Sequence, residues 1–217
     1  VTPARARRTA VVVALAALTL AGCGTSRAGL ASVVGTQTVS DSDVARMVEE
    51  VRVEIAPVAT SPFDEKAVTR ATVNRLTQHY VLAEAAAREG IVITQTDVDK
   101  LIGDTATSNF GGDMSKLEQA VAASQLVPPS EIQTFARDSL IQQALANKLA
   151  PGGSAIQIEN AVSAYLGPIG QQLGVEIAPR FGTWSFKASA LDDVPNDLSF
   201  VPGDAAATAP SPAPSAS

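Results

Sequence analysis

Val44, Met47, Val48, Val51 and Ile55 recur at steps of three and four, with Arg46, Glu49, Glu50 and Arg52 between them. That spacing puts one apolar stripe on a helix and leaves the charges to solvent. Ahead of it Ser40 is the expected N-cap, with Asp43 at the third helical position and Val39 placed to staple onto Val44. Pro57 ends the helix. Ser61-Pro62 is expected to open the next one, with proline at the first helical position. Its predicted buried face is Val73, Leu76, Tyr80, Ala83 and Ala87, and Gly90 is its stop. Ile93-Thr94-Gln95-Thr96-Asp97-Val98 repeats the first helix start, and Leu101 and Ile102 continue the stripe. Residues 109–113, NFGGD, are predicted as a turn, and Leu117 and Val121 mark a short helix that ends before Pro128-Pro129. Ser130 to Leu149 carries Ile132, Phe135, Leu140 and Leu145 on one helical face, and Pro151-Gly152-Gly153 breaks it. Ile158, Val162, Tyr165, Ile169 and Leu173 mark a last helix, expected to kink or break at Gly167-Pro168.

Period-two patterning is confined to the two ends of this helical stretch. ASVVGTQTV, Ala31 to Val39, is rich in β-branched residues, with Gly35 available for a turn, and predicts a strand or small hairpin. Pro179 to Phe186, PRFGTWSF, returns to extended character and puts Trp184 and Phe186 on one face. Two-stranded pieces are marginal alone, so Ser32–Val39 and Gly182–Phe186 are expected to pack together and bury Trp184. The predicted fold class is therefore mainly α, with a short β element formed by the N- and C-terminal segments.

The chain begins differently. Arg5, Arg7 and Arg8 precede the uncharged run VVVALAALTLA, which ends at Ala21 and is followed by Gly22. A basic start, a short apolar core and small residues make a secretory signal peptide, too short for the roughly 20 apolar residues of a span. Val1 fits a GTG start codon translated literally, so an unprocessed precursor is expected. Leu20-Ala21-Gly22-Cys23 resembles the bacterial lipobox, and the resemblance implies diacylation of Cys23, the only cysteine. One thiol cannot form an internal disulfide, and Arg27 alone offers little to activate it. The organisation expected is a leader at 1–22, an acylated tether at 23–31, one domain at 32–192 and a Pro/Ala/Ser-rich disordered tail at 193–217.

Charge narrows the partners. Without residues 1–22 the chain keeps 13 basic and 22 acidic side chains, a net charge of −9. That balance disfavours nucleic acid and anionic lipid, leaving acyl chains as the membrane link. Little points to catalysis. His79 is the sole histidine and is expected at a solvated or boundary position. No G-x-S-x-G, phosphate-binding loop or dinucleotide fingerprint occurs, and the Cys and His counts exclude metal sites built on them. Asp97, Asp99 and Asp104 fail the EF-hand spacing, with Leu101 at the fifth ligand position. No enzyme, cofactor or metal is expected.

The order of elements carries one further resemblance. VVGTQTVSDSDVARMV, NRLTQHYVLAEAAAREGIVITQTDVDKLI, GGDMSKLEQAVAASQLVPPSEIQTFARDSLIQQALANKL and PRFGTW together resemble the SurA-type N-terminal chaperone domain of secreted foldases. The likeness runs from Ser32 to about Leu191, with Ala178 where the family often has Asn. It implies a helical chaperone module that holds unfolded or translocating polypeptides on the extracytoplasmic face of a membrane. Tyr80, Phe135 and Tyr165 are the aromatic residues expected to line its cleft, and Arg180 and Trp184 are expected to be structural. The family's parvulin-type isomerase module would lie after Leu149, where only a short linker stands, so no prolyl isomerase activity is expected. The other reading is an interaction lipoprotein dedicated to one envelope partner.

Overall fold

The computed structural model describes residues 28–192. The expected leader, Cys23 and the tail from 193 onward lie outside them. Two strands, β1 (Leu30–Val34) and β2 (Gln37–Ser40), form the expected hairpin. Leu30 and Ala31 belong to this strand and not to a tether, and Ala31 is fully buried. Six helices follow: α1 (Asp41–Ile55), α2 (Glu65–Glu89), α3 (Gln95–Phe110), α4 (Met114–Gln125), α5 (Ile132–Leu149) and α6 (Ala155–Leu173). The described residues end with β3 (Glu176–Ile177), β4 (Thr183–Ser185) and β5 (Ala190–Asp192). The fold is mainly helical with small antiparallel sheets.

Local chemistry sets most boundaries. Ser40 Oγ accepts from the Asp43 backbone N–H at 3.1 Å, and Thr94 with Asp97 forms a complete capping box on α3. Helix α2 does not start at Ser61-Pro62: Asp64 is its N-cap, accepting from Ala67 N at 2.9 Å. A carboxylate at the cap satisfies a free N–H, which a proline two residues upstream cannot do. The 109–113 turn is shorter than expected, because α3 continues through Phe110 and ends at Gly111. A single 3-10 turn over Pro129–Glu131 precedes α5. Only residues 150–154 separate α5 from α6.

Helix α2 is the hub, touching α1, α5, α6 and the hairpin. One apolar cluster joins Val68 and Val73 of α2 to Val44, Val48 and Val51 of α1 and Val39 of β2. The other joins Val81, Leu82 and Ala85 to Ile141 and Leu145 of α5 and Ile169 of α6. Enclosed on several sides, α2 buries neighbouring positions instead of one stripe. Leu82, Ala85 and Ala86 are inside while Ala83 and Ala87, the expected core residues, face solvent.

The two ends of the domain meet, though not through the expected strands. The sheet order is β2-β1-β3, with Ser32 opposite Ile177 and Val33 opposite Glu176. Thr183–Ser185 instead pairs with Ala190–Asp192, Trp184 lying opposite Leu191. Arg180 ties the ends together: it donates to the Leu30 carbonyl at 3.0 Å, forms an ion pair with Asp41, and lies 4.6 Å over the Phe181 ring. Pro179–Phe181 is a 3-10 turn and not extended.

Helix α6 shows no break at Pro168. The glycine before it has another use. A Cβ on Gly167 would stand 2.2 Å from the Phe186 carbonyl oxygen, and one on Gly170 would touch Phe186 and Trp184 at 3.4 Å. The two glycines cut a notch on α6 in which the segment after β4 lies, and Trp184 and Phe186 pack on the second cluster.

Candidate functional site

The notch divides a long depression on α6. On one side lies a cleft of about 580 Å³ between α5 and α6, roofed by Ala188 and Ser189. Its floor is aliphatic, made by Ile158, Val162 and Leu166. Its rim is polar, and most of it carries no charge: Gln78 from α2, Gln142 and Gln143 from α5, Ser139 and Ser163. Among the described residues Glu159 is the one charged group lining it. On the other side of the strap, Asn160, Gln171, Phe186 and Lys187 line a second cleft of about 470 Å³, and Ser163 belongs to both.

Helical periodicity explains why these residues share a face. Ile158, Val162 and Leu166 are i, i+4 and i+8 on α6, and Ser139, Gln142, Gln143 and Ala146 follow the same rule on α5. The roof is held from α2, where Gln78 Nε2 donates to the Ser189 carbonyl at 2.9 Å. Ser189 has a left-handed backbone, with φ of 51°, in a residue that is only 4% exposed. Its hydroxyl is buried beside the cleft, and among the described residues it has no hydrogen-bond partner. A strained, unsatisfied group of this kind costs on the order of 1–3 kcal/mol.

Amide side chains carry both a donor and an acceptor, so this rim matches a ligand that alternates N–H and C=O. The volume lies within the ordinary range for ligand sites. Ser139 Oγ donates to the Phe135 carbonyl of its own helix at 2.8 Å.

The titratable groups gather elsewhere, on the α2–α5 seam. His79 Nδ1 lies 2.9 and 3.0 Å from the two carboxylate oxygens of Asp138, a buried aspartate. Arg75 faces Glu131 at 3.6 Å one turn earlier. The hydrogen bond to Asp138 holds the imidazole above its ordinary value in spite of desolvation. Burial holds the Arg75 guanidinium below its own, against the pull of Glu131 and Asp138. His79 is thus a half-buried boundary histidine with a fixed carboxylate partner. Among the described residues no hydroxyl bonds its ring, and no three Cys, His, Asp or Glu residues are grouped to hold a metal ion.

The expected cleft aromatics do not converge. Tyr80 is half-buried between the two apolar clusters, with its ring edge-on to His79 at 5.3 Å. Tyr165 packs on the second cluster and donates its hydroxyl to Glu89 at 2.5 Å. Phe135 is half-buried on α5. None of the three lines the α5–α6 cleft, whose rim is built from amides that carry no signal in a single sequence. Trp184 is half-buried, its indole Nε1 has no hydrogen-bond partner among the described residues, and its ring packs on the second cluster.

No family model, curated protein or solved structure matches this chain. Among the described residues no helix is long and apolar enough to cross a membrane.

Proposed function

We propose that this chain is a lipid-anchored, extracytoplasmic chaperone-like protein that holds unfolded or translocating polypeptides and does not isomerise proline bonds. The observation that carries the reading is the α5–α6 cleft, with its aliphatic floor and its rim of glutamine and serine. An unfolded chain offers backbone amides and aliphatic side chains, and this surface answers both without reading a particular sequence. The five-residue connection between α5 and α6 supports the part of the reading without isomerisation, because the resembling family carries its isomerase module at that point. Diacylation at Cys23 supplies the anchor, since stable attachment takes two acyl chains.

The test uses full-length protein extracted from membranes. Its intact mass is expected to show the acyl chains on Cys23. At near-stoichiometric ratio it should suppress the light scattering of several unrelated denatured clients, with no acceleration of proline isomerisation in a peptide assay. Ser163→Trp, which fills the junction of the two clefts, should abolish suppression while leaving helical circular dichroism intact. No suppression of any client, with tight binding to one native envelope protein, overturns the reading in favour of a dedicated interaction lipoprotein.

A further inference from the structure

The three-stranded sheet has two edges, and they are finished differently. Strand β3 is two residues long, carries Glu176 and runs into Pro179. Short length, charge and nearby proline are means by which natural sheets refuse further strands. Strand β2, Gln37-Thr38-Val39-Ser40, has neither charge nor proline.

The register shows which groups β2 presents. Val34 and Gln37 flank the two-residue turn Gly35-Thr36, and only Gly35 in that turn has positive φ, at 60°. That is the pattern of a type II′ turn, whose flanking pair exchanges both backbone hydrogen bonds. In an antiparallel ladder the next pair, Val33 and Thr38, does not. Val33 turns its backbone toward Glu176 on β3, so Thr38 turns its N–H and C=O outward on the opposite edge. Thr38 is exposed.

Beside that edge lies a cleft of about 230 Å³, reached by Thr38 and bounded across from it by Glu131 and Thr134. Met47, Leu76 and Tyr80 give it an apolar lining, and Asp43 and Glu131 give it carboxylates. Asp43 takes the Ser40 hydroxyl at 2.6 Å, and among the described residues no basic side chain pairs with it. The cations nearby are engaged, Arg75 by Glu131 and His79 by Asp138.

We infer that the open edge of β2 is a strand-addition site for an extended polypeptide. The guest's backbone pairs with Thr38, and one of its long basic side chains lies across Tyr80 and Leu76 toward Asp43. Backbone pairing supplies affinity and the cleft supplies the preference for a lysine or arginine, as in other strand-addition sites. The α5–α6 cleft plays no part in this, so the two sites stand or fall separately.

The experiment uses the full chain and a terminally blocked octapeptide of alternating valine and lysine, followed by fluorescence anisotropy. Methylating alternate backbone nitrogens of the peptide should weaken binding about tenfold, the equivalent of one lost hydrogen bond. Thr38→Pro removes the outward N–H without touching the ladder and should have the same effect, with helical circular dichroism unchanged. Asp43→Asn should weaken the valine–lysine peptide more than a valine–threonine one. Three results overturn the proposal: methylated and plain peptides binding alike; Ser163→Trp abolishing binding where Thr38→Pro does not; or a protein dimer that Thr38→Pro converts to monomer, which would make a second copy the occupant.

Discussion

Along the seam between α2 and α5, one half is ionic and the other apolar. Arg75 faces Glu131 and His79 faces Asp138 in the first half. In the second, Leu82 and Ala86 share a cluster with Ile141 and Leu145, and the seam ends at the surface where Lys148 meets Glu89 at 2.5 Å. Positions 75, 79, 82 and 86 form one continuous stripe of α2, so the same helix face changes character within three turns. The apolar half gains by leaving water. The ionic half must first offset desolvation, as the lowered Arg75 shows, and then holds its partners at fixed distances that apolar contact does not demand.

The largest effect is expected in the apolar half. Leu145 is fully buried, and Leu145→Ala leaves a cavity between α2, α5 and α6. It should cost about 2–5 kcal/mol in urea unfolding. A smaller loss than that caused by Asp138→Asn would reverse the comparison and make the ionic half the main support.

This contrast also explains what could be read from the chain. Val44, Met47, Val48 and Val51 lie on one side of α1, so their spacing matches its buried face. Ser40, Thr94 and Gly90 act within a few residues of themselves, and they sit where local chemistry predicts. His79 and Asp138 are 59 residues apart, and neither has a local signal that it will be enclosed with the other. Charged positions on an amphipathic helix look like solvent-facing ones until a second helix covers them. The same limit hid the cleft. Gly167-Pro168 looks like a break because local rules make it one, whereas its use depends on Phe186 arriving from a later segment. Gln78 and Ser189, which fix the roof, are 111 residues apart.

The intermediate effect belongs to the ionic half and has a pH signature. The His79 charge is favoured in the folded protein by Asp138 first and by Glu131, and opposed by burial and Arg137. Its stabilisation is therefore fully present below the ordinary histidine value of 6.5 and is lost as pH rises through the higher folded value. The melting temperature should fall as pH rises above 6.5 and through that folded value. Asp138→Asn should cost about 1–3 kcal/mol at pH 6 and flatten that slope. A slope unchanged in the variant would mean that another group carries it.

The smallest effect is expected where the seam reaches solvent. Lys148 pairs with Glu89, which also accepts from Tyr165, and Lys148 is first among the causes holding the Glu89 carboxyl below its ordinary value. Both partners are wetted, so Lys148→Met leaves Glu89 with water and the Tyr165 hydroxyl and buries no unpaired charge. Its melting temperature should shift less than that of either variant above. Salt separates the two kinds of pair. Raising ionic strength from 0.1 M toward 1 M shortens the screening length from about 10 to about 3 Å. The difference between Lys148→Met and the parent should then vanish, while that of Asp138→Asn persists, because little electrolyte reaches a carboxylate enclosed between two helices. Equal salt sensitivity of the two variants would mean that His79 and Asp138 are as wet as the surface pair, and the ionic half of the seam would lose its distinction from the exposed end.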